Sequence, residues 1–229
     1  MTEDASQFDS IARAYEEVVP PHIKDHYMAK RLKCILSETG SEGLSLDCGC
    51  GTGILAEALS QRGKQTIGLD NSIGMLREML QKEGATPVCG DSVLLPFRDA
   101  VFDLVTAVGL LHHILDGEKI EGCIREMLRV TREGGKVIII DPNPANPYWK
   151  FFNRKFPLDP EKEKNIPIRR FRDIFSRCNV SEIRCFRSGI IPDFTPAILL
   201  PVFKRIEKFL EYLPLVNLFL AHQTIIVTK

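Results

Sequence analysis

The sequence predicts an α/β protein built on a doubly wound parallel sheet with helices on both faces. Short apolar runs alternate with helix-like patterns between residues 44 and 141. A glycine-rich turn joins the first apolar run to the helix-like pattern that follows it. Because parallel strands need crossover helices, and those crossovers are right-handed, this alternation places helices on both faces of one sheet.

The amino-acid composition restricts which folds and functions are possible for this chain. The chain has 229 residues, of which 44% are hydrophobic, and this suits one α/β domain with a substantial core. Thirty basic and thirty acidic side chains cancel, so no overall field attracts nucleic acid. Seven cysteines without a secretory leader predict free thiols and a cytoplasmic location, and the lone Cys48-x-Cys50 pair predicts no zinc site.

The elements follow in order along the chain. Residues 1–43 are amphipathic and helical, with a break at Pro20-Pro21. Strands are predicted at Leu44–Cys48, Gln65–Leu69, Pro87–Cys89, Leu104–Val108 and Lys136–Ile140, and helices at Ile54–Arg62, Ile73–Lys82 and Lys119–Val130. Beyond Asp141 we expect a proline-rich loop, helix Ile168–Arg177, strand Val180–Phe186, an apolar stretch over residues 194–221 and a closing strand Thr224–Thr228.

The glycine-rich turn after the first strand is the most informative motif. Gly49, Gly51 and Gly53 form G-x-G-x-G, whereas a dinucleotide loop requires G-x-G-x-x-G and therefore a glycine at the position of Ile54. This departure disfavours a nicotinamide-dependent oxidoreductase. The carboxylate of Asp47 would repel a pyrophosphate, but it would pair well with an ammonium group.

Two further acids follow the next two strands. Asp70 stands at the end of the second strand, where a carboxylate can accept both hydroxyls of a ribose. Asp91, with Ser92 beside it, follows the third strand and can accept from an adenine amine; its alternative role is a helix N-cap. Asp47, Asp70 and Asp91 thus recur at successive strand ends along the edge where such sheets bind ligands.

At this point the sequence resembles the class I S-adenosylmethionine-dependent methyltransferases. It resembles in particular their small-molecule ubiquinone/menaquinone-type group, methyltransferase type 11. The resemblance extends from about Phe8 to Pro144, and more weakly to the C-terminus. The matching runs are LDCGCGTG (46–53), GLDNSIGML (68–76), GDSVLLPFRDAVFDLV (90–105), LHHI (111–114) and REMLRVTREGGKVIIID (125–141).

The resemblance implies a Rossmann-like seven-stranded sheet of order 3-2-1-4-5-7-6 with the last strand antiparallel. It also implies S-adenosylmethionine as cofactor and S-adenosylhomocysteine as product. We expect a single domain over residues 1–229, with an N-terminal helical cap and an apolar helical insertion before the last strand. Its parts would be the cap (1–43), a cofactor-binding core (44–141), a substrate-side loop and helical cover (142–221) and the final strand (222–229).

The family's site roles carry over onto matching positions. The methionine portion would be held by Asp47, Gly49, Gly51 and Gly53, and the ribose by Asp70. The adenine would be contacted by Asn71, Met75, Asp91 and Ser92, and the sulfonium pocket lined by Val108 and Gly109. Tyr15 either caps the site or is a half-buried core aromatic.

Methyl transfer from a sulfonium is an in-line displacement, driven mainly by proximity and alignment. A base is needed only if the acceptor must lose a proton. His112 and His113 follow the fourth strand and are candidates for that role, or they are structural or substrate-contacting residues. A metal site that combines them with Asp116 is disfavoured, because spacing on a loop fixes no ligand geometry.

The acceptor is expected to be small and hydrophobic or aromatic, because the cover over residues 188–221 is rich in apolar side chains. These side chains could equally pack helices against the sheet. The basic Lys204, Arg205 and Lys208 make a transient membrane contact through 194–221 a third interpretation. A methyltransferase acting on RNA or protein, and a noncatalytic scaffold with this fold, stay open as alternatives, as does the oligomeric state.

Overall fold

A single seven-stranded sheet organises the chain. The computed structural model describes residues 3–147 and 165–229. The strands are β1 Leu44–Cys48, β2 Gln65–Asp70, β3 Ala85–Cys89, β4 Phe102–Val108, β5 Thr131–Pro142, β6 Glu182–Ser188 and β7 His222–Thr228. They lie in the order β3-β2-β1-β4-β5-β7-β6, and β7 runs antiparallel to both β5 and β6. The predicted sheet is therefore confirmed.

Helices cover both faces of this sheet. They are α1 Glu3–Ile11, α2 Pro21–Thr39, α3 Ile54–Ser60, α4 Ile73–Met79, α5 Gly117–Val130, α6 Ile168–Phe175, α7 Leu200–Glu211 and α8 Pro214–Asn217. Short 3₁₀ turns lie at Ala12–Glu17, Leu111–His113 and Ala197–Leu199. The break at Pro20-Pro21 becomes the start of α2, because proline at the first helical position leaves no intrahelical hydrogen bond unmade.

Alternating side chains of the central strands build two cores, one on each face of the sheet. On one face, Val105 and Ile139 join Met127 of α5 and Phe171 of α6 in the larger cluster. On the other face, Leu104 and Ile138 pack against residues of α2 and α3. The strands are thus buried on both sides, which explains their near-continuous apolar runs. One face of α5 carries its buried residues at helical spacing: Ile120, Cys123, Ile124, Met127 and Leu128.

The N-terminal segment is tied to the start of α4 by one aspartate. Oδ1 of Asp9 accepts hydrogen bonds from Ser72 Oγ at 2.6 Å and from the Gly74 amide at 2.7 Å. These bonds keep the carboxylate ionised and lower the pKa of Asp9. α1 and the turn after it are thereby held against α4.

The element boundaries differ from the predicted ones mainly at strand ends. β5 begins at Thr131 instead of Lys136, because Phe102 pairs with Thr131 beyond an irregularity in the β4–β5 ladder. The helices α3, α4 and α6 end two or three residues early. The predicted division of the domain stays a prediction, and most of the loop 142–167 lies outside the described residues.

Candidate active site

Two neighbouring cavities open at the carboxyl ends of β1, β2, β4 and β5. The acidic cavity, of about 380 Å³, is bordered by Asp47, Asp70 and Asp91. The apolar cavity, of about 520 Å³, is bordered by side chains such as Ile140, Ile191 and Phe219. The two cavities share a wall. Its residues are Tyr15, Met28, Arg31, Ile54, Val108, Gly109 and His113.

The glycine-rich loop forms the floor of the acidic cavity. The amides of Gly49 and Cys50 both donate to the carbonyl of Leu69, at 2.7 and 3.0 Å, which fixes the loop to the end of β2. Gly51 has a φ of +54°, and a Cβ added there would project into open space. A backbone in this left-handed conformation favours glycine, and the open space lets a ligand approach the main chain closely.

Asp70 closes the loop from the opposite side. Its Oδ2 accepts from the Gly51 amide at 2.8 Å, and its Oδ1 accepts from the Ser72 amide at 2.9 Å. Burial raises the pKa of this carboxyl group, and the backbone hydrogen bonds oppose that rise. The carboxylate borders the cavity and keeps further acceptor capacity, since its two oxygens can together accept about four donors.

Asp47 lies deeper in the site and is only 2% exposed. Its Oδ1 accepts from Thr106 Oγ1 at 2.7 Å. Burial raises its pKa to about 7, which the Thr106 hydrogen bond and the nearby Arg31 partly oppose. A buried carboxylate of this kind is stabilised by a cation placed beside it.

Arg31 of α2 brings a partly buried positive charge to the wall between the cavities. Burial lowers the pKa of its guanidinium, while Tyr15, Tyr27 and Asp47 favour the charged form. The sequence offered no signal for this residue, because an arginine in an amphipathic helix is usually a surface residue. Arg31 and Asp47 together present opposite charges to one small space.

The structure places eleven of the twelve predicted cofactor residues around the acidic cavity. These are Tyr15, Asp47, Gly49, Gly51, Asp70, Asn71, Met75, Asp91, Ser92, Val108 and Gly109. Gly53 differs: it adopts a φ of +80° at the start of α3, and a Cβ there would approach Met79 Cγ to 2.4 Å. The absence of a side chain at Gly53 therefore leaves room for α4 to pack against the start of α3.

For Asp91 and Tyr15, the sequence left two roles open, and the structure argues against the second role of each. No helix follows Asp91, and its Oδ1 accepts from the Val93 amide at 3.0 Å within a turn. A helix N-cap role is therefore wrong for Asp91. Tyr15 is 37% exposed and borders both cavities, so it is not a core aromatic.

His112 forms a buried pair with Asp141 at the wall of the apolar cavity. Nδ1 of His112 lies 3.1 Å from Oδ1 of Asp141, and both side chains are buried. Because a carboxylate only accepts, this contact places a proton on Nδ1, and in the neutral imidazole Nε2 can then accept one. Cε1 of His112 faces Gly109, where an added Cβ would lie 3.8 Å away. Sequence reasoning missed Asp141, although a buried acid ending a strand was a usable signal.

His113 has a different environment from its neighbour. Its ring stacks at 3.9 Å from the ring of His112 and contacts Phe8 edge-on at 5.2 Å. Burial, and to a lesser degree His112, lower the pKa of His113 to about 3. His113 is therefore neutral at physiological pH and borders both cavities.

Metal binding and membrane spanning are two further features that bear on function. Over residues 3–147 and 165–229, no cluster of three or more His, Cys, Asp or Glu side chains is arranged to hold a metal ion. Among the helices of those same residues, none combines the length and hydropathy needed to span a bilayer.

Known proteins resemble this chain in sequence. A family model described as a methyltransferase domain matches residues 46–139. The chain is 34% identical to a demethylmenaquinone methyltransferase of Thermobifida fusca over 145 residues, which cover 60% of each protein. It is 31% identical over 163 residues to a demethylmenaquinone methyltransferase of Corynebacterium urealyticum, covering 68% of this chain and 69% of that relative. The match to the Thermobifida protein thus leaves two fifths of that relative uncovered.

A solved structure shares the fold over almost the whole chain. A SAM-dependent methyltransferase of Thermotoga maritima superimposes with a TM-score of 0.72, covering 98% of this chain and 99% of the other. The sequence identity is 18%, so this likeness concerns the fold. The fold of this chain is therefore one that a very different sequence also adopts.

Proposed function

This chain belongs to the class I S-adenosylmethionine-dependent methyltransferases, and we propose that it methylates a small hydroxylated aromatic acceptor with an apolar frame. The observation that carries the acceptor class is the His112–Asp141 pair in the wall of the apolar cavity. The pair can take a hydroxyl proton, and the apolar wall suits an aromatic ring. The names of the relatives make a reduced demethylmenaquinone the first acceptor to test.

The residues around the acidic cavity fit the cofactor of this family. Gly51 leaves open space above the loop, and Asp70 offers two carboxylate oxygens to the ribose hydroxyls. Asp47 is a buried carboxylate whose raised pKa calls for a cationic neighbour, which the ammonium of the methionine portion supplies. Asn71, Met75, Asp91 and Ser92 border the remaining space for the adenine.

Arg31 completes the recognition of the methionine portion. An α-amino acid carries an ammonium and a carboxylate on one carbon, and Arg31 and Asp47 offer the matching opposite charges. A guanidinium binds a carboxylate with two parallel hydrogen bonds, which orients it as well as holding it. This placement directs the reacting end of the cofactor toward the wall shared by the two cavities.

When bound, the cofactor supplies an electrophilic methyl group whose sulfonium sulfur leaves as a neutral thioether. Val108 and Gly109 border both cavities and line the passage between them. His112 Nε2 accepts the hydroxyl proton of the acceptor, which raises the electron density of the ring and its oxygen. The methyl group would then bond to that oxygen or to a ring carbon, and a ring carbon that gains it must release its hydrogen as a proton, which restores the aromatic ring. The carboxylate of Asp141 holds the imidazole in the required tautomer and stabilises the imidazolium that forms. Apolar walls exclude water from this step.

Two alternative functions make different predictions. A methyltransferase acting on RNA would need a basic surface across the site, but the acidic cavity carries three aspartates and the chain has no net charge. A noncatalytic scaffold would not require the buried His112–Asp141 pair. Cofactor binding without any turnover of aromatic acceptors would favour the scaffold.

The first experiment is a calorimetric titration of the purified chain with S-adenosylhomocysteine, with NAD as the control ligand. We expect micromolar binding of S-adenosylhomocysteine and none of NAD. Asp70→Ala should abolish the binding, while Asp25→Ala, an exposed aspartate of α2, should leave it unchanged. Absence of binding by a folded, ligand-free protein would overturn the proposal.

The second experiment tests the acceptor. The protein is incubated with S-adenosylmethionine and a short-chain reduced demethylmenaquinone, and the methylated product is measured by mass spectrometry. We expect turnover that requires His112, with loss in His112→Gln at unchanged S-adenosylhomocysteine affinity. If a panel of phenolic and quinol acceptors gives no product while the cofactor binds, the acceptor class is wrong.

A further inference from the structure

The helix α7 and the segment around it expose an unusually apolar surface. We name this surface the apolar patch, and six of its residues are Ile198, Val202, Ile206, Phe209, Leu215 and Phe219. Ile198 is 86% exposed and Phe209 is 65% exposed. Val202, Ile206 and Phe209 are spaced by four and three residues, so they form one stripe along the helix.

α7 differs from an ordinary surface helix because it is apolar on both sides: Leu200 and Phe203 pack inward, and a second apolar stripe faces outward. Its inward face carries Glu207, which is 2% exposed, while Phe209 points outward. An ordinary amphipathic helix places its apolar stripe against the core and its charges in water. The exposed outer stripe would be stabilised if it were in contact with an apolar phase.

A network of buried ion pairs holds α7 in this orientation. Oε2 of Glu207 accepts from His26 Nε2 and from Lys30 Nζ, both at 2.8 Å. Oε1 of Glu207 accepts from the Ile190 amide at 3.0 Å, and Glu211 forms a further ion pair with Lys30. Rotating the helix to bury its apolar stripe would break these contacts, so the outward orientation is built into the fold.

The exposed charges of α7 are all basic. Lys204, Arg205 and Lys208 lie between the inward face and the apolar stripe, and they are exposed. Both acids of the helix are used on the inward side. A row of cations beside an apolar stripe is complementary to an anionic lipid surface, where the stripe enters the boundary of the acyl chains and the cations meet phosphates.

The apolar patch is continuous with the apolar cavity. Phe219 is 54% exposed on the patch and also borders the cavity. α8 contacts α7, and Asn217 Nδ2 donates to the Glu211 carbonyl at 3.2 Å, so the two helical segments form one surface. An apolar molecule resting in a bilayer beneath this surface would meet the mouth of the cavity directly.

We propose that the apolar patch docks this protein on anionic phospholipid membranes, so that an acceptor dissolved in the bilayer enters the apolar cavity past Phe219. The docking itself does not depend on the proposed methyl transfer, whereas the entry of the acceptor rests on it. A second copy of the chain is the competing occupant of the patch, and the test below separates the two.

The test is co-sedimentation of the full chain with vesicles, without cofactor or acceptor. One set contains phosphatidylglycerol with phosphatidylcholine, and the other contains phosphatidylcholine alone. We expect binding to the anionic set that weakens by about tenfold or more in Lys204→Glu/Lys208→Glu, since anionic lipids attract basic residues near the membrane surface. Lys33→Glu, an exposed lysine of α2, should change binding far less.

The apolar contribution is tested separately. Phe209→Ser should lower vesicle binding by about tenfold or more, and Leu80→Ser, which removes an exposed leucine after α4, should not. Both variants should bind S-adenosylhomocysteine as the unmodified protein does, which shows that they are folded. Failure of vesicle binding with intact cofactor binding overturns the docking proposal alone.

The oligomeric state is measured by sedimentation velocity on the same samples. A monomer that binds anionic vesicles agrees with the proposal. A dimer that Phe209→Ser dissociates, with no vesicle binding by either protein, would assign the patch to a second copy and overturn the proposal.

Discussion

Nδ1 of His112 lies 3.1 Å from Oδ1 of Asp141, although His112 follows β4 and Asp141 lies near the end of β5. The second carboxylate oxygen of Asp141 is buried without a hydrogen-bond partner among the described residues. A buried carboxylate held in this way is tolerated because its charge orients and stabilises a neighbouring imidazole. The pair therefore gives the apolar cavity a hydrogen-bonded imidazole, since His112 borders that cavity.

Asp141→Asn is expected to lower kcat by about a hundredfold or more, because general base catalysis contributes factors of that order. KM for the acceptor and the affinity for S-adenosylhomocysteine should change little. His112→Gln should give a similar loss, and the double variant should be no worse than either single one, because the two residues act as a unit. Asp25→Asn is the control. Steady-state kinetics measures these losses in kcat. If the loss in the double variant equals the product of the two single losses, the two residues do not act jointly.

The raised pKa of Asp47 predicts a pH dependence of cofactor affinity. A bound ammonium favours the ionised carboxylate, so below about pH 7 binding must first release a proton from Asp47. The affinity for S-adenosylhomocysteine should therefore increase as the pH rises toward about 7 and then level off. Titration calorimetry between pH 5.5 and 8 measures this, and Asp47→Asn should flatten the profile. An equally steep profile in the variant would show that another group titrates.

The same group affects stability in the ligand-free protein. Because the folded-state pKa lies above the unfolded value, the folded protein binds the extra proton, and its stability falls as the pH rises from about 4 to about 7. Asp47→Asn removes this contribution, so we expect the variant to be more stable than the parent at pH 8 by at most about 4 kcal/mol. Urea denaturation of the variant and the parent at pH 5 and pH 8 measures this difference in the free energy of unfolding. A difference that shrinks toward pH 8 would contradict the prediction.

Glycine substitutions should separate binding from packing. Gly51→Ala is expected to weaken S-adenosylhomocysteine binding and to lower stability by about 1–2 kcal/mol, because its φ of +54° disfavours a Cβ. Gly53→Ala should lower stability further, because its Cβ would also strike Met79. Gly122→Ala on α5 has open space and should stabilise the protein by about 0.4–1 kcal/mol. Thermal denaturation and calorimetry of all three variants provide the comparison.

The ion network beneath α7 predicts a second pH effect. Burial by itself would raise the pKa of Glu207, but hydrogen bonds from His26 and Lys30 bring it down to about 2. Its stabilising contribution is therefore present above the unfolded pKa of about 4.5 and is lost as the pH falls toward about 2. Glu207→Gln should destabilise the protein by about 3–5 kcal/mol at pH 7.

The difference between Glu207→Gln and the parent should narrow steadily between pH 4.5 and pH 2 in chemical denaturation. Glu182→Gln, at the edge strand β6, is the control. A difference that stays constant over this range would mean that shape complementarity, not charge, accounts for the role of Glu207.

Much of the site was predictable from sequence because its parts are local. The glycine-rich loop, Asp70 and Asp91 each follow a strand directly, and parallel strands bring their carboxyl ends to one edge. Gly53 was the exception. A glycine can be required by a left-handed backbone conformation or by the close approach of a ligand, and the sequence alone does not distinguish the two. The neighbours of Gly53 in space decide between them, and Met79 lies 26 positions away in the chain.

The sequence by itself determined the alternation of strands and helices and the acids that follow the strands, because periodic burial and turn residues act over a few positions. The number and order of the strands came from the resemblance to a known family. The tertiary structure alone decided that Asp141 would hold His112, that Arg31 would border the same cavity as Asp47, and that Glu207 would lie inside while Phe209 lies outside. These relationships join residues up to 181 positions apart. They depend on how helices rotate and settle against the sheet, and that is set by the sum of many contacts and not by any local pattern.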